Sequence, residues 1–310
     1  MSESVSAYVK VSVAVVLFLG CASSRVEQGQ DVSSLEESVT PVMAAAAVGG
    51  IMLGEPLAVT IDIAGNIVVA DGVPGRLVRI DSSGEQSLEF QRPAQSPGFH
   101  PSDVKLSGFF VYALDEVGRV LQRFDTDGAY RDQLVNFDEV FDEGQVSPVG
   151  MDVDPSGRIA VTDVRNHRII LFNSFLDVEL VFGNYGAFPG QFSAPEGVSF
   201  TEGGELLVAD TGNRRIQRLN TYGSYLGSIP PERTTNPLRA PRRAVANRAG
   251  EVYVADPEAG RVFVFDGGGQ LIRSIAPRGV DEFRPTDVAV AAAGLIYVTD
   301  TANNSLYVFR

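Results

Sequence analysis

Three carboxylates and two guanidinium groups recur at one place in this chain, one or two residues after a proline. They are Asp103 after Pro101, Glu196 after Pro195, Arg242 and Arg243 after Pro241, and Asp287 after Pro285. If these side chains converge, the mixture of acids and arginines could grip a small polar or peptidic ligand. Asp103, Glu196 and Asp287 by themselves could hold a hard cation such as Ca2+, which takes oxygen ligands. Two residues after the proline, the copies without a charged residue at that position carry Ala58, Gly150 and Gly197. The plainer role for the polar set is to satisfy strand-end backbone groups around a water-filled channel.

Other reactive residues are few. His100 precedes Pro101 and His167 lies in a later turn; two histidines with nearby carboxylates could begin a zinc site but do not complete one. Lys10 and Lys105 are the only lysines, followed by Val11 and Leu106, which excludes a phosphate-binding loop of the Gly-Lys-Ser/Thr type. No G-x-S-x-G, H-E-x-x-H or paired-cysteine pattern is present. Asp152, Asp154, Gly157 and Asp163 have the spacing of an EF-hand loop. The same segment recurs as a glycine turn followed by an aspartate in every copy, so it reads as a hairpin.

The elements that must position these residues are announced by a second recurring residue. A short apolar run ends in aspartate six times, at Asp71, Asp115, Asp163, Asp210, Asp256 and Asp300, at intervals of 44, 48, 47, 46 and 44 residues. Runs such as Leu206-Leu207-Val208-Ala209 before the aspartate are buried strands. A glycine ahead of each run (Gly65, Gly108, Gly157, Gly204, Gly250, Gly294) marks a hairpin turn. Arg76, Arg168, Arg215 and Arg261 follow the aspartate by five residues and Arg119 follows by four, each opening a third apolar run; the sixth copy has Ser305. A second turn and a fourth strand complete the unit. Because the aspartate and arginine recur blade after blade, they are expected to form a partly buried structural pair that fixes each turn.

Four antiparallel strands every 44 to 48 residues predict an all-β, six-bladed propeller. From Pro285 to Arg310 only three strands fit, so residues near Val39 to Val48 are expected to supply the outer strand of the last blade and close the ring. The proline and Asp-to-Arg segments then share one face, with the post-proline residues around the central channel.

Ala194-Pro195-Glu196-Gly197-Val198 through Asp210-Thr211-Gly212-Asn213-Arg214-Arg215-Ile216 resembles an NHL repeat, and Asn166-His167-Arg168 is close to the triplet that names it. The resemblance covers residues 41 to 310. It implies the propeller and leaves the activity open, since such rings serve as binding modules, sensors and a few enzymes. Amidating lyases on related rings use more histidine ligands for zinc than two residues supply. Calcium-dependent lactonases and esterases on six-bladed rings use channel Asn, Asp and Glu, which keeps a calcium-dependent hydrolase built on Asp103, Glu196 and Asp287 as the alternative function.

The formal net charge of −14 disfavours nucleic acid as a partner. Val11 to Leu19 is apolar, too short to span a bilayer and suited to a signal peptide. Leu17-Phe18-Leu19-Gly20-Cys21 resembles a bacterial lipobox, with Phe18 and Leu19 departing from its usual residues. Cys21 is the only cysteine, so no disulfide forms within the chain. The expected organisation is a signal peptide over 1–20, a tether over 21–37 beginning at lipidated Cys21, and the propeller over 38–310. An exported outer-membrane lipoprotein of the bacterial envelope, facing periplasm or cell surface, is implied. The expected role is a non-catalytic binding or scaffold module, anchored by lipid, with a protein, peptide or saccharide ligand on the channel face.

Overall fold

A computed structural model of the chain describes residues 36–41, 43–45, 47–48, 50–141, 146–232 and 234–310. The expected signal peptide, Cys21 and the tether as far as residue 35 lie outside these. The periodic apolar runs fold into six antiparallel sheets arranged as a ring. The fourth blade is representative: Pro195–Phe200 innermost, then Leu206–Asp210, Arg215–Leu219 and Tyr225–Ile229. Its second strand is buried along its whole length, since blades cover it on both sides. Gly65, Gly157, Gly204, Gly250 and Gly294 adopt φ between 79° and 86° at the first hairpins, a left-handed conformation that glycine enters without steric cost.

The core is a ring of apolar layers between neighbouring sheets. Ala58, Val68 and Leu77 of blade one meet Val104, Val111 and Phe124 of blade two. Val59, Val69 and Ile80 of blade one pack on Tyr297, Leu306 and Val308 of blade six across the seam. Burying one such phenylalanine or leucine contributes about 1.5–3 kcal/mol.

The sixth blade has three strands of its own, Pro285–Val290, Ile296–Asp300 and Ser305–Phe309. Met43–Ala45 pairs antiparallel with Ser305–Phe309 and supplies the fourth, closing the ring as the short last repeat predicts. A second pairing was not foreseen. Glu36–Val39 runs parallel to Leu271–Pro277 and adds a fifth strand to blade five. The propeller therefore includes Glu36 and Glu37, two residues assigned from sequence to the tether.

Candidate functional site

Along an inner strand, residues two and four after the proline share a face, and six such strands line the ring's axis. This geometry brings Asp103 and Lys105 of blade two, Arg243 of blade five and Asp287 of blade six together. Asp103, Arg243 and Asp287 are each 3% exposed. The Arg243 Nη2 donates to Asp103 at 2.8 Å and to the Met151 carbonyl at 3.1 Å, and its Nη1 donates to the Val198 carbonyl at 3.0 Å. Its Nε lies 3.3 Å from Asp287 Oδ1, an ion pair outside hydrogen-bond geometry. One side chain thus touches blades two, three, four and six.

The carboxylates also tie neighbouring blades through backbone amides. Met151 N donates to Asp103 Oδ2 at 2.7 Å, Phe200 N to Asp152 Oδ2 at 2.7 Å, and Val59 N to Asp287 Oδ2 at 3.0 Å, the last across the seam of the ring. Lys105 Nζ donates to Asp103 Oδ1 at 2.8 Å and lies 3.9 Å from Asp287. Burial pushes the Asp103 carboxyl up, but Arg243 and Lys105 outweigh it and hold the group below the ordinary carboxylate range. Asp152, half-buried and farther from a cation, is pushed up by burial, with Lys105 and Arg243 offsetting only part of the cost. The Arg243 guanidinium is stabilised as a cation against burial by Asp103, Asp287 and Asp152.

The inner strands of blades three to five come too close for side chains at two positions. A Cβ on Gly150 would lie 2.2 Å from the Glu196 carbonyl oxygen, and one on Gly197 would lie 2.3 Å from that of Arg242. The channel left above the ion cluster has a volume of about 20 Å³, room for one water. Its mouth carries Glu196 and Arg242, 3.5 Å apart and both partly exposed. Burial raises the Glu196 carboxyl, Arg242 lowers it and Glu116 raises it further.

The expected ligand set therefore divides. Asp103, Arg243 and Asp287 are spent on one another, and only Glu196 and Arg242 face the mouth. Calcium does not fit the place assigned to it. The oxygens of Asp103 and Asp287 already accept from Arg243, Lys105 and backbone amides, two protein cations stand where the metal would go, and Glu196 pairs elsewhere. No group of three or more His, Cys, Asp or Glu side chains suited to a metal occurs among the described residues. His100 and His167 do not assemble a site: His100 Nε2 is 3.6 Å from Glu55, and His167 Nδ1 accepts from Ala194 N. Lys105 and Asp152 were missed from sequence, although their place four residues after the proline puts them on the channel-facing side of the strand.

The repeated aspartates are fully buried at the turns. Arg76, Arg168 and Arg215 donate through Nε to Asp71, Asp163 and Asp210 at 3.0, 2.9 and 2.8 Å, and Arg261 faces Asp256 in register. Arg119 departs from the sequence expectation. It has φ of 50° and turns outward, its Nε donating to Asp138 at 2.8 Å, so it does not pair with Asp115.

Residues 146–172, 192–219 and 284–309 match the NHL repeat. Over 133 residues the chain is 28% identical to the Protein brain tumor of Drosophila melanogaster, covering 42% of this chain and 12% of that protein's length. Among solved structures, a streptogramin B lyase superposes with a TM-score of 0.61 at 15% identity, covering 83% of both chains. A chain of the nidogen/laminin complex superposes at 0.60 with 17% identity, covering 72% of this chain and 81% of that one. At these identities the structural likeness shows the fold alone.

Proposed function

We propose that this propeller is a non-catalytic binding module that engages a polypeptide partner through the face bearing the prolines and the Asp-to-Arg turns. The observation that carries the reading is the plugged axis: the ion cluster leaves about 20 Å³ in the channel, too little for a substrate, so recognition falls to the surface around the mouth. That face offers Tyr185 and Phe188, 70% and 76% exposed, on the linker between blades three and four, and the charged pair Glu196 and Arg242. The Tyr185 ring rests on His167 with centroids 4.9 Å apart, which restricts its motion before a partner arrives. The opposite face exposes Ile63, Phe109, Phe175 and Tyr222, each on a different hairpin and so less suited to a single anchor.

The test is affinity capture from membrane extracts with the wild-type chain and a Tyr185→Ser, Phe188→Ser double variant. A specific protein retained by the first and lost by the second at equal melting temperature supports the reading, and identical capture by both defeats it. The proposal includes export and lipid attachment at Cys21. Radiolabelled palmitate should label the wild type and not a Cys21→Ser variant.

A further inference from the structure

The repeat fails in one blade, and the failure leaves a void. In blades one, three and four an arginine stands opposite the aspartate in strand register, Arg76 to Asp71, Arg168 to Asp163 and Arg215 to Asp210, and closes the ion pairs already described. Blade six has Ser305 at that register, but Asn303, three residues after Asp300, donates to its Oδ2 at 2.6 Å. Asn166 and Asn213 make the same bond in blades three and four. Blade two has neither donor. Val120 stands opposite Asp115, and Gly118 holds the place of the asparagine.

The consequence is a buried anion without its cation. Asp115 is fully buried; its Oδ1 accepts from His100 N and Gly118 N, while its Oδ2 has no hydrogen-bond partner among the described residues. Gln122, also fully buried, gives its Nε2 to Ser96 Oγ and leaves its Oε1 without a partner among the described residues. Gln217, at the equivalent register of blade four, instead donates to Asp210 Oδ2 at 3.0 Å. Beside Asp115 opens a cavity of about 280 Å³ on the proline face, walled by Asp115, Gly118, Val120, Ser96, Gln133 and Asn136. Val120 is part of that wall, so the cavity lies where an arginine at its register would extend.

We propose that this cavity receives the guanidinium group of an arginine on a polypeptide partner, supplying blade two from outside with the ion pair its own sequence omits. An unpaired buried carboxylate is costly, and a charge-assisted donor relieves it. The other blades show which donor this backbone frame accommodates. A metal would find a single carboxylate, too few oxygens for Ca2+. Oδ2 lies beneath Gly118, where a Cβ would approach it to 2.5 Å, so binding turns the carboxylate toward the cavity, a turn that the bare glycine leaves free. Val117, 62% exposed on the same turn, offers an apolar rim to the incoming side chain's stem.

The inference rests on reading this face as a binding surface, and a small probe tests it separately from the capture experiment. In titration calorimetry on the full chain, acetyl-arginine methylamide should bind saturably, with its citrulline isostere and the corresponding lysine compound at least tenfold weaker. Free arginine, whose own carboxylate enters a negatively charged surface, should also bind more weakly; equal or tighter binding would make the ligand an amino acid and overturn the polypeptide assignment. Val120→Arg should fill the cavity from within, raise the melting temperature and abolish probe binding, while Asp115→Asn should erase the preference for arginine over citrulline. Absence of saturable binding to wild type, citrulline binding as well as arginine, or undiminished binding to a folded Val120→Arg chain would each sink the proposal. If either variant fails to fold, the arginine and citrulline comparison on wild type decides alone. A failed probe titration leaves the Tyr185 and Phe188 surface untouched, and failed capture leaves the cavity untouched.

Discussion

Replacing Arg243 by methionine should be among the most damaging single changes in this ring. The substitution keeps most of the side chain's volume and removes its cation, so Asp103 and Asp287, both 3% exposed, lose a neutralising partner, and the Met151 and Val198 carbonyls lose a donor. Breaking a buried ion pair from one side costs about 3–5 kcal/mol. For a domain of this size each kcal/mol moves the melting temperature by about 2 °C, so a fall of about 6–10 °C is expected at pH 7. The pH dependence supplies a second constraint. In the wild type the Asp103 carboxyl is held low, so its contribution is complete above the unfolded value of about 3.9 and is lost as pH falls through the lower folded value. In the variant burial dominates and the folded value rises, so the penalty is greatest at neutral pH and shrinks as protonation relieves the buried charge. Thermal melts of both chains at fixed salt between pH 4 and pH 8 measure this directly. Equal melting temperatures at pH 7, or a deficit that does not narrow toward pH 4, would refute the reasoning.

Other perturbations test separate parts of the fold. Asp210→Ala removes the acceptor for Ser193 N, Asn213, Arg215 and Gln217, and should cost about 3–5 kcal/mol in denaturant unfolding; a loss below 1 kcal/mol would contradict the structural role. Gly150→Ala places a Cβ 2.2 Å from the Glu196 carbonyl oxygen, so adjoining inner strands must separate, with a loss of at least about 2 kcal/mol read from the same unfolding curves. Deleting Glu36–Val39 should lower the melting temperature by only a few degrees, because blade five keeps its own four strands, whereas extending the deletion through Ala45 uncovers Ser305–Phe309 and should lower it much further. Equal effects of the two deletions would mean that ring closure is not carried by Met43–Ala45.

The ring was legible in the sequence because its determinants are local and repeated. Each proline, glycine and aspartate sits at a strand end where backbone geometry restricts the residue, and six copies make coincidence untenable. The short last repeat disclosed the closing strand for the same reason. The interior of the channel was not legible, because Arg243 and Asp103 are 140 residues apart and only the ring's closure makes them neighbours. Lys105 and Asp152 stand four residues after the proline, where strand alternation returns a side chain to the channel side without any repeated residue type to mark the position. The spacing of Arg119 differs by one residue from that of its counterparts, which places it in the turn before the third strand, with φ of 50°, while Val120 takes the register opposite Asp115. Glu36–Val39 has no alternation to betray it, and what makes it a strand is the free edge of blade five.

That fifth strand also changes how force enters the molecule. Glu36–Val39 lies on blade five and Met43–Ala45 on blade six, so a pull arriving from upstream residues meets the parallel strand first. Its four residue pairs can peel away as a mechanical fuse while the hoop stays latched, giving slack before anything that holds the toroid shut is strained.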